Sequence, residues 1–139
     1  MLIGEYRYSV DPKGRIFVPA KMREEMGDSF IVSKAMDNCL NLYSPKQWMS
    51  FSEKLTALSD IKARAVKRFI FSTAQEVNVD SQGRICIPQN LREYAGLTKE
   101  AVIIGVETRI EIWSADAYAQ MESEADREAM IAFLTESGF

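Results

Sequence analysis

The residues best placed to do chemistry in this chain form one short pattern that occurs twice. Residues 11–15 have the order Asp-x-x-Gly-Arg, and residues 80–84 repeat it 69 positions later. The acid suits a turn because its carboxylate accepts backbone N–H bonds, and the glycine supplies a positive φ. The arginine carries a rigid fork of donors that matches the O6 and N7 edge of guanine or a phosphate. The motif alone is short enough to occur in many turns, but its presence in two equivalent loops of one chain favours recognition of nucleic acid.

We predict two different roles for the residues of the loops. An acid beside a polyanion is repulsive unless it is occupied internally, so we expect the aspartates and glycines to hold the loops. Those residues are Asp11, Gly14, Asp80 and Gly83. The arginines begin apolar strand-like runs and project from the loop ends, while a lysine and a glutamine occupy equivalent loop positions. The predicted DNA-contacting residues are Arg15, Arg84, Lys13 and Gln82.

The repeat extends well beyond the loops. Residues 9–24 and 78–93 are identical at eight of sixteen positions, and residues 40–44 align with 110–114 after a slip of one residue. We therefore predict two tandem modules, residues 1–72 with a helical hairpin and residues 73–139 with C-terminal helices. Each half alone is marginal in size for a stable core, which favours two modules that interlock.

Turn, cap and periodicity signals set out the elements that must position the loops. In the first module they predict strands at residues 6–10, 15–18, 30–35 and 40–43, with a short helix after Pro19. They also predict two amphipathic helices, one starting at Ser44-Pro45 and one at Ser59-Asp60. The second module repeats this order, with strands at 76–79, 84–87, 101–106 and 110–113 and a helix capped by Ser114.

Composition limits the possible activities. The chain contains no histidine, which removes the commonest general base and metal ligand, so we predict no enzymatic activity and no cofactor or metal. Cys39 and Cys86 lie in apolar runs without the spacing of a metal or redox pair, and we expect both to be reduced and packed. No apolar run is long enough to span a membrane and the start lacks a signal-peptide pattern, so we expect a cytoplasmic protein.

The net charge of −3 is unevenly distributed along the chain. Residues 1–70 carry 12 Lys/Arg against 8 Asp/Glu, whereas residues 71–139 carry 5 against 12. Local fields matter more to a polyanion than the total charge does. An acidic chain can therefore still present a positive face to DNA.

With these residues in view, the chain resembles the MraZ family of bacterial transcription regulators, within the wider AbrB-like swapped-hairpin superfamily. The resemblance covers essentially the full length and rests on the two Val-Asp-x-x-Gly-Arg-Ile-x-[Val/Ile]-Pro segments, at residues 10–19 and 79–88. It implies an α+β fold in which two AbrB-like modules interleave into one swapped-hairpin β-barrel with flanking helices. It also implies a ring-shaped homo-oligomer.

In function, the resemblance implies a nucleoid-associated regulator that binds double-stranded DNA at short direct repeats in a promoter. The family usually represses the operon for cell division and cell-wall synthesis. By this carry-over Arg15 and Arg84 contact DNA, with Asp11 and Asp80 as their motif partners. Ser81-Gln82 replace Pro12-Lys13, so the two loops are not expected to contribute equally.

Two other interpretations remain open from the residues alone. One is an oligomeric protein-binding scaffold without DNA specificity, which would dock partners on its acidic helical end. The other is a hydrolase that pairs Asp11 with Asp80 across the pseudo-twofold. An arginine four residues after each acid argues against the hydrolase, because it favours two ionised carboxylates and leaves no acid of raised pKa.

Overall fold

The computed structural model describes all 139 residues and has a mixed α+β architecture. The α+β class expected from the sequence is confirmed. The first half contains β1 (Glu5–Ser9), β2 (Arg15–Phe17), α1 (Ala20–Met26), β3 (Ser29–Lys34), β4 (Leu40–Tyr43), α2 (Pro45–Thr56) and α3 (Ala63–Phe71). The second half contains β5 (Gln75–Asn78), β6 (Arg84–Cys86), α4 (Gln89–Ala95), β7 (Glu100–Val106), β8 (Arg109–Ser114), α5 (Ala115–Glu124) and α6 (Arg127–Glu136).

The strands of the two halves are interleaved in space. Six form an antiparallel sheet in the order β1-β7-β8-β4-β3-β5, and β2 pairs with β6 in a separate two-stranded ribbon. Each strand of the first half thus pairs with a strand of the second half, as β1–β7, β2–β6, β3–β5 and β4–β8. Only β3–β4 and β7–β8 pair within one half, so four of the six strand pairings join the two halves.

The register shows how the halves are related. In the ribbon, Ile16 lies opposite Ile85, its own counterpart in the repeat. In the sheet, Asn41 lies opposite Glu111, again its counterpart after the one-residue slip. Equivalent residues that face each other at two separate places are the signature of a pseudo-twofold axis through both strand pairs.

The larger of two clusters of buried apolar side chains contains residues of both halves and holds them together. Ile16 and Ile85 are both 1% exposed, and Phe30 and Ile87 are fully buried beside them. Burying a side chain of this size contributes about 1.5 to 3 kcal/mol, so the centre of the ribbon is also a centre of stability. The two loops are therefore attached to the best-packed part of the fold.

The helices follow their sequence signals, with one difference. Ser44 and Ser114 cap α2 and α5 by accepting N–H bonds from Gln47 (3.2 Å) and Ala117 (3.1 Å). The second helix of the hairpin does not start at Asp60, however, but at Ala63. Asp60 instead accepts an N–H bond from the residue two positions on, which forms a turn there and leaves Ile61 73% exposed.

No helix of this structure is both long enough and apolar enough to cross a membrane.

Candidate nucleic-acid interface

The first loop is a tight turn built around its aspartate. One carboxylate oxygen of Asp11 accepts N–H bonds from Lys13 (2.9 Å) and Arg15 (2.8 Å), and the backbone closes with Gly14 N–H donating to the Asp11 carbonyl (2.9 Å). Gly14 has a φ of +83°, a conformation that favours glycine. The order Asp-x-x-Gly-Arg is thus the order this turn requires.

The second loop repeats the geometry closely. Asp80 accepts N–H bonds from Gln82 and Arg84, both at 2.9 Å, and Gly83 has a φ of +85°. Replacement of Pro12-Lys13 by Ser81-Gln82 leaves the turn unchanged, because neither pair supplies the capping oxygen or the positive φ.

Both aspartates are held in the ionised state. The backbone N–H bond from Arg15 is the main cause that lowers the pKa of Asp11, and the bond from Arg84 does the same for Asp80. The arginine side chains lower each pKa further. Two carboxylates of lowered pKa provide no general acid at neutral pH, which argues against the acid-pair hydrolase.

Each loop arginine is oriented by its own aspartate. Arg15 Nε lies 2.5 Å from the second carboxylate oxygen of Asp11, and Arg84 Nε lies 2.9 Å from that of Asp80. Because Nε is occupied, the donors that remain lie on the edge formed by the two amino groups. This is the edge that makes bidentate contacts to a guanine or a phosphate.

The two loops meet at the ribbon but differ in detail. Arg84 Nη1 lies 3.8 Å from the Asp11 carboxylate, which places the arginine of the second loop beside the acid of the first. The Arg84 side chain is 18% exposed, against 33% for Arg15. The sites are therefore adjacent and unequal.

The loop tips carry the remaining predicted contacts. Lys13 and Gln82 are exposed, and their side chains make no hydrogen bond or ion pair within the chain. Cys86 is also exposed, with its thiol 3.3 Å from the Lys13 carbonyl. The expectation that both cysteines are packed is wrong for Cys86. Successive side chains of a strand point to opposite faces, so Cys86 points outward while its neighbour Ile85 points into the core.

Two arginines beside the loops were missed by the sequence analysis. Arg92 from α4 lies against Gly14, and Arg23 from α1 lies against Gly83, each reaching the loop of the opposite half. The signal was available, since Arg23 and Arg92 are among the eight identical pairs of the repeat. What the sequence could not show was the interleaving that brings them to the loops.

The structure contains no group of three or more Cys, Asp or Glu side chains arranged to hold a metal ion.

Comparison with known proteins gives a family match over both halves. The family model described as "MraZ protein, putative antitoxin-like" matches residues 1–69 and again residues 70–135. A protein of Acetivibrio thermocellus named "Transcriptional regulator MraZ" is 50% identical, over 94% of this chain and 99% of its own length. Another of that name from Caldicellulosiruptor saccharolyticus is 60% identical, over 82% of this chain and 81% of its own.

Among solved structures, one titled "The solution structure of PHS018 from pyrococcus horikoshii" matches 81% of this chain and 88% of its own at 18% identity. Its TM-score is 0.34, a likeness too low to support an argument about this fold.

Proposed function

This chain belongs to the MraZ family, and from that premise we propose that it is a transcriptional regulator that binds double-stranded DNA sequence-specifically through its two loops. The resemblance inferred from the repeated motif is thereby confirmed at the level of the family. Relatives that are about half identical over most of their length carry the name of a transcriptional regulator. The proposal includes no catalytic activity, cofactor or metal.

The observation that carries the proposal is the pair of oriented arginines. In each loop an ionised aspartate fixes Nε, which leaves both amino groups of Arg15 unpaired and one amino group of Arg84 3.8 Å from Asp11. Lys13 and Gln82 extend the exposed surface at the tips. A preorganised fork loses little rotamer freedom on binding, so more of its hydrogen-bond energy appears as affinity.

The inequality of the loops bears on the kind of DNA site. A symmetric reader matches a palindrome, whereas one that presents Lys13 on one loop and Gln82 on the other distinguishes the two directions of the duplex. We therefore propose short direct repeats as the target. Following the family resemblance, we propose that these repeats lie in the promoter of the chain's own division and cell-wall operon. Binding there represses the operon, and the protein is associated with the nucleoid in the cytoplasm.

Footprinting on the DNA upstream of the chain's own gene tests this function. Protection of regularly spaced short repeats is the expected result, and reporter expression should rise when the gene is deleted. Uniform protection, or none, would refute sequence-specific recognition. A salt titration separates the scaffold alternative, because several phosphate contacts give a steeply negative dependence of binding on salt and a scaffold gives none.

For the fold, we propose that modules 1–72 and 73–139 form the swapped-hairpin barrel of the superfamily. The strand exchange in both sheets supports this proposal. The two modules are then halves of one reader and not two independent domains.

We also propose a ring-shaped homo-oligomer, with α6 as one half of the contact between copies. Every residue from 122 to 139 is exposed, including the apolar Met130, Ile131, Phe133 and Leu134. Such an apolar helix on a monomer marks an interaction surface. Residues 115–139 carry six acids and one base.

The α2–α3 hairpin, residues 45–71, complements α6 in charge and supplies the proposed partner surface. It carries six Lys/Arg against two Asp/Glu and exposes Met49, Leu58 and Ile61. Contact between two different surfaces of neighbouring copies is head-to-tail, and such contacts form a ring when the rotation between copies closes. A ring engages several repeats at once and converts weak single contacts into avidity.

The mass of the particle in solution tests this contact. Phe133→Glu should give smaller species by light scattering, whereas Met36→Glu should not. Met36 is a suitable control because it is 67% exposed, against 68% for Phe133, and lies in the turn after β3, outside both α6 and the α2–α3 hairpin. An unchanged mass for Phe133→Glu would refute α6 as the contact.

A further inference from the structure

The outward face of the β2–β6 ribbon is formed by four side chains. Successive residues of a strand point to opposite faces, so the pairing that places Ile16 and Ile85 in the core turns their neighbours outward. These neighbours are Arg15, Phe17, Arg84 and Cys86. Phe17 is the aromatic member of this face, and 41% of it is exposed. A phenyl ring is thus displayed among the cations of the two loops.

Phe17 is held in place by contacts with its own half and with the other. Its ring packs against that of Tyr8, with the ring centroids 5.8 Å apart, and Tyr8 in turn stacks on Tyr6. Both tyrosines pack against the core. The N–H of the next residue, Val18, donates to the Gly83 carbonyl (3.0 Å), which ties the end of β2 to the second loop. The exposed part of the ring therefore has a defined position beside that loop.

Arg84 lies directly opposite Phe17 in the ribbon. Side chains at directly opposite positions of an antiparallel pair start from Cβ atoms about 4.5 to 5.5 Å apart. Successive base pairs of DNA are about 3.4 Å apart along the helix axis, and the major groove admits a two-stranded ribbon. When Arg84 contacts one base pair, Phe17 is therefore within reach of the next.

The chemistry of a phenyl ring restricts what it can recognise at that base pair. Base edges in the major groove present hydrogen-bond donors and acceptors, apart from the C5 methyl group of thymine. A phenyl ring placed against a donor or acceptor would displace water without replacing its hydrogen bond, which is unfavourable. Against a thymine methyl group the ring buries apolar surface on both sides of the contact. Thymine is therefore the base that suits Phe17.

We propose that Phe17 recognises the methyl group of a thymine in the base pair next to the one that Arg84 contacts. The inference rests on the proposed DNA-binding function and adds to it one apolar contact that distinguishes thymine from the other bases. Phe17 is then a residue that determines sequence specificity. The contact is made by β2 of the first module beside the loop of the second.

The equivalent position of the second half does not offer the same contact. Cys86 is the repeat counterpart of Phe17 and lies opposite Arg15. Its side chain is much smaller than a phenyl ring, and its S–H donates to the Lys13 carbonyl (3.3 Å). The thymine contact therefore belongs to one half of the ribbon, so it also fixes the direction in which the protein lies on a direct repeat.

Deoxyuridine provides the test, because it differs from thymidine only by the methyl group. In an upstream fragment, each thymine of the protected repeat is replaced in turn by deoxyuridine, at the same position of every repeat. Binding to each fragment is measured in reducing buffer for the parent, Phe17→Met and Phe17→Cys. Methionine keeps an apolar side chain of similar length, whereas cysteine is the residue that the ribbon already carries at position 86.

Met36→Ala is the control, because Met36 is 67% exposed but lies outside the ribbon. Each variant should first be matched to the parent in its circular dichroism spectrum and oligomeric mass. The parent should lose affinity at one thymine of the repeat, by about fourfold for each engaged repeat, the factor expected for one buried methyl group. Phe17→Met should retain most of this preference for thymine. Phe17→Cys should bind the thymine and deoxyuridine fragments equally, and Met36→Ala should match the parent.

Three results would overturn the inference. A parent that is insensitive to deoxyuridine at every thymine makes no methyl contact. A preference for thymine that Phe17→Cys leaves unchanged, even with lower affinity for all fragments, would show that Phe17 is only structural. Loss of the preference in both variants would attribute it to the packing of the ring on Tyr8. If the parent does not distinguish the upstream fragment from a scrambled one, the proposed function fails first.

Discussion

Gly14→Ala is the substitution whose cost follows most directly from the geometry. Gly14, Gly83 and Gly96 all have positive φ, at +83°, +85° and +66°, but their surroundings differ. A new methyl group would lie 2.4 Å from Arg92 at Gly14, 3.0 Å from Arg23 at Gly83, and no closer than 3.9 Å to any atom at Gly96. The three positions separate backbone strain from collision.

Backbone strain is common to all three variants and costs about 1 to 2 kcal/mol, because a left-handed conformation is unfavourable for alanine. At Gly14 the methyl group also displaces Arg92 and breaks its bond to the Ile87 carbonyl, which costs a further ~1.5 kcal/mol or more for a charged donor. We expect Gly14→Ala to destabilise the protein by about 3 kcal/mol and Gly96→Ala by about half as much. Gly83→Ala should fall between them, since Arg23 has only a few tenths of an ångström to move.

Urea unfolding at one fixed protein concentration measures these differences, because the stability of an oligomer depends on concentration. Combining Gly14→Ala with Arg92→Ala provides the decisive cycle. Without Arg92 there is no collision, so the cost of the glycine substitution should fall to that seen at Gly96. If Gly14→Ala were no worse than Gly96→Ala, or if removal of Arg92 left its cost unchanged, the contact between the modules would not have the energetic role inferred from the distances.

Three further outcomes are expected at the loops. Arg15→Ala should weaken binding to a promoter repeat by about 1 to 3 kcal/mol if its contact is bidentate to a base, and unchanged affinity in a folded, assembled variant would remove Arg15 from the site. Cys86 should react readily with a thiol reagent, and bound DNA should protect it. Cys39 should stay unreactive in both states, because it is fully buried and burial raises its pKa to about 12. Reaction of Cys86 at the same rate with and without DNA would place the ribbon away from the interface. The pKa values of Asp11 and Asp80 are lowered in the folded protein, so both ionised carboxylates stabilise the fold. This stabilisation is complete above the usual aspartate pKa, and it is lost as the pH falls through the lowered pKa of the folded state. Asp11→Asn should therefore show less loss of stability on acidification than the parent, and equal acid sensitivity of the two proteins would contradict the assignment.

Much of the element order could be predicted because the chain marks its own boundaries. Ser44-Pro45 and Ser114 act as helix caps through short-range bonds that depend only on neighbouring residues. The start of α3 was misplaced because Asp60 also begins a turn, and a capping acid has the same local chemistry in both cases. A capping acid indicates either a turn or the start of a helix. The local sequence does not distinguish these two structures when the residues that follow are compatible with both.

The exposure of Cys86 shows a second limit of prediction from the sequence. A three-residue strand such as β6 has too few positions to reveal which face is buried. Because Ile85 and Ile87 on either side are apolar, the thiol was also expected to be packed. In the ribbon only the alternate residues face the core. The exposure of Cys86 depends on the pairing of β2 with β6, which joins segments about seventy positions apart.

The same long-range pairing changes what the repeat means. From the sequence, two copies of a loop predict two equivalent loops in modules that interlock, but not which residues of one module reach the loop of the other. The structure closes each glycine turn with an arginine from the other copy, so that neither loop has its observed surroundings in an isolated half. A substitution in one module should therefore alter the loop of the other. The four arginines thus form two pairs related by the pseudo-twofold, of which Arg15 and Arg84 are held by aspartates and Arg23 and Arg92 make no ion pair.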